Sequence, residues 1–231
     1  MSFADKRRAF LQSESAAEAR RFEDGLEYDR DKLPGSLSRV GPFANTVPLP
    51  IFTHFTEPLT EGGLPECIKP TVVFEGDDFL ILLNDKMPYP AAYEELGKPR
   101  CTAGMALVHL LAIPKARIYN AVTLDATHEP LLRAMQAAVQ VLAQTDRTRL
   151  AALVRATIAE AWLETFDADA ASFVSTDNPR LEFTFHVHGY DGDRWTGHSV
   201  GHLHMHCLLG PRTSEEREEK NVQLEEVYNA L

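Results

Sequence analysis

The chain has 231 residues, 44% of them hydrophobic and 25% charged, with a formal net charge of −11. That length allows a substantial core in one domain with elaborations, and the acidic balance excludes general binding along nucleic-acid backbones, which needs clustered Lys and Arg. No apolar run reaches the length of a membrane span, and the polar stretch 1–25 does not read as a signal peptide. Three separated cysteines, Cys67, Cys101 and Cys207, form neither a disulfide framework nor a Cys-x-x-Cys zinc signal, so cytoplasm or nucleus is the expected compartment.

In chain order, residues 4–24 predict a charged helix that docks through Phe3, Phe10 and Phe22. Residues 34–70 carry seven prolines and four glycines, a density that forbids a long helix and predicts an irregular segment wrapping over a core. Together, residues 1–70 form an N-terminal extension. Residues 71–75 and 79–84 read as a strand pair joined by the turn Gly76-Asp77-Asp78, followed by an inserted loop over 86–104. Met105 to Ile113 is nearly all apolar and stops at Pro114, as a central strand buried on both faces would, with His109 its odd residue out.

Leu131, Leu132, Met135, Val139 and Leu142 predict a helix over 129–144, and a second helix is expected over 147–165. Strands follow at 181–188 and 199–209, separated by a Gly/Asp turn at 189–197. The Glu-rich tail 213–230 reads as a helix with Ser214 as N-cap and Glu215 and Glu216 in its first turn.

Six of the nine histidines lie within 186–206. His202, His204 and His206 alternate with Leu203, Met205 and Cys207, so an extended backbone places the three imidazoles on one face and the apolar residues on the other. Imidazoles titrate near neutrality and can serve as base, nucleophile or ligand.

The run His202-Leu203-His204-Met205-His206-Cys207-Leu208 resembles the signature of the histidine-triad superfamily. Two further blocks, in the matching order, extend the resemblance. Ala106 to Lys115 is similar to the family strand that holds a fourth active-site histidine, here His109. Asp78 to Asn84 is similar to the strand that ends at a ribose-contacting residue, here Asn84.

The resemblance implies an α+β fold, an antiparallel sheet of about five strands with packed helices, spanning residues 71–212 and followed by the C-terminal helix 213–231. It implies nucleotide hydrolysis or nucleotidyl transfer without a cofactor or protein-bound metal. His204 would attack the α-phosphorus and become transiently nucleotidylated. His206 and His109 would orient and polarise around it, and His202 would support it either from behind, without touching substrate, or from the phosphate side. Ser199 would sit near the leaving group, and His188 and His198 would fall near phosphate-contacting positions. The expected partner is a nucleotide or nucleotide conjugate, not a nucleic-acid duplex or a membrane, bound by a homodimer or a monomer. Ser199-Val200-x-His202 is nearer the nucleoside phosphoramidase branch, with the dinucleoside polyphosphate hydrolase branch also open.

Where hydrolytic branches carry Gln this chain has His198, and Arg117 stands where many small members have His. The extension, the 86–104 loop and the second helix can each reshape a pocket. Three alternatives therefore stand beside hydrolysis: a non-catalytic nucleotide sensor, a zinc-dependent hydrolase or lyase drawing on His186, His188 and His198 as well, and a scaffold repurposed for a non-nucleotide substrate.

Overall fold

The structure, a computed structural model, describes residues 2–29, 32, 72–83, 106–145, 148–150, 152, 181–186, 202–212 and 221–231. The Pro-rich segment 34–70, the 86–104 loop, the 189–197 turn and the Ser214 cap lie outside the described residues, as does most of 147–165, where 148–150 and 152 are helical.

Six strands form one antiparallel sheet: β1 (Val72–Glu75), β2 (Phe79–Leu83), β3 (Ala106–Pro114), β4 (Leu181–His186), β5 (Met205–Arg212) and β6 (Asn221–Gln223). Their spatial order is β1-β2-β3-β5-β4-β6, which puts β3 and β5 at the centre. The architecture is the expected α+β one, with β6 as an added edge strand. Every residue of β2 (Phe-Leu-Ile-Leu-Leu) is buried, as befits a strand covered on both faces.

Register sorts the two faces. Leu110 pairs with Cys207 and Leu82 with Leu111; Leu111 pairs in turn with His206, and His206 with Thr184. One face therefore carries Ile81, Leu83, Leu110, Ala112, Met205, Cys207, Leu209, Phe183 and Phe185, all part of one core cluster with the helices. The other carries Leu80, Leu82, His109, Leu111, Ile113, His206, Leu208 and Thr184, also buried. Burying one such apolar side chain is worth about 1.5–3 kcal/mol, so the apolar residues of both faces contribute to stability. Near the end of β5, Gly210 adopts φ 79° where the β3–β5 register slips between Ala106 and Val108. An extra residue opposite Leu107 gives a bulge, and glycine supplies the left-handed backbone it needs.

The N-terminal segment is two helices rather than one, α1 (Phe3–Leu11) and α2 (Glu14–Glu23). Ser13 takes extended backbone (φ −89°, ψ 163°) and its hydroxyl donates to the Phe10 carbonyl at 2.7 Å, ending the first helix. The break lets Phe10 and Phe22 both reach Tyr119, Phe10 stacked at 5.8 Å and Phe22 edge-on at 6.4 Å. Phe3, Phe10 and Phe22 are all buried, as their docking role requires.

Helix α3 (Glu129–Thr145) buries Leu132, Met135, Val139 and Leu142, the expected apolar stripe. The single tail helix is not what forms. Asn221–Gln223 pairs with β4 as a strand, and only α4 (Leu224–Tyr228) follows, with a capping box between Gln223 and Glu226. Val222 and Leu224 are buried there, so the open edge of β4 and a core position outweigh the helical preference of the glutamates.

Candidate histidine site

The triad segment is not one continuous strand from 199 to 209. Strand β5 begins at Met205, and of the three alternating histidines only His206 lies within it. The backbone at 202–204 is anchored instead to the loop after β3: Leu203 N–H donates to the Ile118 carbonyl at 2.7 Å. Alternation survives all the same, because Leu203, Met205 and Cys207 go into the core cluster.

Four histidines come together. His109, fully buried in the middle of β3, has Nε2 2.7 Å from Nδ1 of His206, and their ring centroids are 4.9 Å apart. One of these nitrogens donates and the other accepts, so the pair shares a proton along one line. The His204 ring lies edge-on to His206 at 4.9 Å and 62°. His204 Nδ1 donates to the His202 carbonyl at 2.7 Å. His202, 1% exposed, donates from Nε2 to the Pro114 carbonyl at 2.9 Å.

These contacts set tautomers. A carbonyl only accepts, so the hydrogen of His204 sits on Nδ1, and in the neutral ring the lone pair is left on Nε2. Desolvation favours that neutral ring, lowering the His204 pKa against the pull of the His202 carbonyl. Burial lowers His202 as well, to about 4, opposed by its bond to the Pro114 carbonyl and assisted by His204 and Arg117. Burial raises the thiol of Cys207 far above its ordinary range, so this side chain is apolar packing rather than a nucleophile.

Thr184 was not singled out by the sequence. It pairs with His206 across β4–β5, is 1% exposed, and its hydroxyl has no hydrogen-bond partner among the described residues. The alternation Glu182, Thr184, His186 in an otherwise apolar strand was the available signal. Phe22 also meets the site, its ring edge-on to His202 at 6.1 Å and 75°. No local sequence pattern links those two positions. Arg117 is half-buried with its guanidinium 6.0 Å from the Phe22 ring centre, whereas Lys115 is an ordinary strand-end cation 3.6 Å from Glu75.

Asn84, Ser199, His188 and His198 lie outside the described residues, and of His186 only its place at the end of β4 is described. Among the described residues no three His, Cys, Asp or Glu side chains are grouped as a metal site would need. No helix among them is long and apolar enough to cross a membrane.

Residues 65–221 match the model of the family described as "Scavenger mRNA decapping enzyme C-term binding". The chain belongs to this family. It is thereby a member of the histidine-triad superfamily, as the three sequence blocks implied. Among solved structures, it is similar to a HIT family hydrolase from Legionella pneumophila Philadelphia 1, with 23% identity, 63% of this chain and 85% of that one covered, and a TM-score of 0.34. It is also similar to a histidine triad protein from Clostridium difficile, at 17% identity over 70% of this chain and 90% of that one, with a TM-score of 0.34. No curated protein sequence matches the chain.

Proposed function

We propose that this protein is a histidine-triad hydrolase that cleaves a phosphoanhydride joining two nucleotides, by way of a nucleotidyl-His204 intermediate. The observation that carries the reading is the bond from His204 Nδ1 to the His202 carbonyl, which leaves the lone pair on Nε2 of a ring held neutral. The family description, which names a decapping enzyme, favours a substrate of the 5′–5′ polyphosphate kind over a simple mononucleotide.

In the first step Nε2 of His204 attacks the phosphorus that bears one nucleoside. A P–N bond forms, the bridging P–O bond breaks, and the departing phosphate carries off the electron pair. A neutral nucleophile brings no negative charge toward the anionic oxygens, which is why imidazole suits this attack. As the ring becomes cationic, the His202 carbonyl stabilises its Nδ1–H. In the second step water attacks the same phosphorus, the P–N bond breaks, and a nucleoside monophosphate leaves with neutral His204 restored. In this mechanism the hydrogen-bonded His109–His206 pair, whose His206 ring lies edge-on to His204, polarises the phosphoryl oxygens and passes a proton. Asn84, Ser199, His188 and His198 are assigned to ribose and phosphate contacts on their match to the superfamily pattern.

The test is product analysis on a panel: a capped dinucleotide, diadenosine polyphosphates, adenosine and guanosine phosphoramidates, and a non-nucleotide phosphoramidate. Release of a nucleoside monophosphate from a dinucleotide, lost in His204→Ala, supports the proposal. Release only from phosphoramidates moves the substrate to the other branch. Tight nucleotide binding with no product from any of them sinks the enzymatic reading in favour of a sensor. Activity that vanishes on chelation and returns with zinc would instead favour the metal-dependent alternative.

A further inference from the structure

We propose that Phe22, in the N-terminal extension, is a positioning residue of the histidine site, acting on His204 through His202. The proposal rests on the hydrolase reading for its kinetic consequence, and on contacts alone for its structural one.

The chain of contacts is short. The Phe22 ring meets the His202 ring edge-on, with centroids 6.1 Å apart and planes at 75°. That is a favoured aromatic geometry, with the positive edge of one ring against the negative face of the other. The His202 ring is also held by its bond to the Pro114 carbonyl, and its own backbone carbonyl is the acceptor that orients His204. A displaced His202 therefore carries the orienting carbonyl with it.

The neighbouring residue of α2 supplies a second grip. The Glu23 carboxylate accepts from Tyr119 N–H at 2.9 Å and from the Thr123 hydroxyl at 2.6 Å. This fixes the loop whose Ile118 carbonyl in turn holds Leu203 N–H. From α1, Arg7 donates twice to the Leu124 carbonyl, at 3.1 and 2.8 Å. The two helices thus hold both the loop and the imidazole on which the backbone at 202–204 rests. Burial pushes the Glu23 carboxyl up while its two donors pull it down. Both His204 and Arg117 disfavour a charged His202, and Arg117 also lies over the Phe22 ring.

A purely structural Phe22 would do no more than Phe10, which is equally buried and stacks on Tyr119 in the same cluster. The experiment compares Phe22→Leu with Phe10→Leu in the full chain, with Phe22→Ala added if it folds. It reads kcat and KM well below the melting temperature, and follows the His202 imidazole by NMR in histidine-labelled protein. Misplacement by about an ångström can cost on the order of 100-fold in rate. Phe22→Leu is expected to lower kcat about 10- to 100-fold with KM within about twofold, and to move the His202 pKa upward from about 4 as the imidazole gains solvent. Phe10→Leu, at comparable loss of stability, should change neither.

Equal kcat in the two variants, with the His202 titration unmoved, overturns the proposal. If the wild-type protein turns over nothing in the panel, the hydrolase reading fails by itself. The His202 titration then decides alone: a shift in Phe22→Leu only upholds the positioning contact, and equal titrations in the two variants reject it.

Discussion

The two faces of the central strands are built from adjacent residues of the same chain, yet the proposed mechanism gives them different ends. On β3, Leu110 faces the helices within the core cluster while His109, one residue earlier, faces His206. On β5, Cys207 and His206 divide in the same way, and register pairs Leu110 with Cys207 and His109 with Leu208. Both faces are buried, so burial alone does not distinguish packing from chemistry. The distinction is in what the buried polar groups meet. On the histidine side they form a connected set of imidazoles and backbone carbonyls, where the helix side has dispersion contacts.

Substitutions that separate the faces should therefore separate activity from stability. The largest effect is expected from His204→Ala: turnover should fall by at least about 10⁴-fold, with nucleotide affinity within about tenfold, because the covalent step is lost while ground-state contacts stay. A rate within tenfold of wild type would remove His204 from the mechanism. Next, Leu110→Ala should cost about 2–5 kcal/mol in urea unfolding while kcat in the folded protein is unchanged. Its neighbour should behave in the opposite sense, His109→Gln losing about 100-fold in kcat with little change in stability. If both neighbours cost mainly stability, the division of labour between faces is wrong.

The site also leaves a mark on stability against pH. The folded-state pKa of His202 is depressed to about 4 from an ordinary 6.5, so the unfolded chain binds the extra proton between those values. Its contribution is fully present above pH 6.5, declines as pH falls through the window, and is lost below about 4. The span corresponds to about 3 kcal/mol. Unfolding free energies at pH 7 and pH 4.5 should differ more in the wild type than in His202→Gln, which has no imidazole to titrate. Identical pH slopes would show that His202 is not buried as a neutral ring.

The smallest effect tests the boundary between the faces. The Thr184 hydroxyl beside His206 is buried and unpartnered among the described residues, an arrangement that costs free energy unless a ligand uses it. Thr184→Val should leave the free protein as stable or more stable by up to about 1 kcal/mol, with kcat retained. A rise in KM would instead show the hydroxyl meeting substrate.

Much of this was legible in residue order. Short apolar runs bounded by turn residues located β2 and β3, and the 3.6-residue stripe located α3. The alternation around His204 correctly separated Leu203, Met205 and Cys207 from the imidazoles. It could not tell a strand from a segment outside the sheet held by a distant loop, since that depends on the Ile118 and Pro114 carbonyls. The break at Ser13 and strand β6 were missed for a related reason. The docking of Phe10 and Phe22 on Tyr119, and the open edge of β4, are tertiary facts that override a helical composition. The contact of Phe22 with His202 joins remote parts of the chain and has no local signature.

The central claim is covalent chemistry at His204, and intact-protein mass spectrometry after rapid, acid-free quenching with a dinucleotide substrate tests it most directly. The expected result is a transient mass increase of one nucleoside monophosphate, mapped to His204 and missing from His204→Ala. Product formation with no adduct at any quench time, and undiminished turnover in His204→Ala, would contradict it.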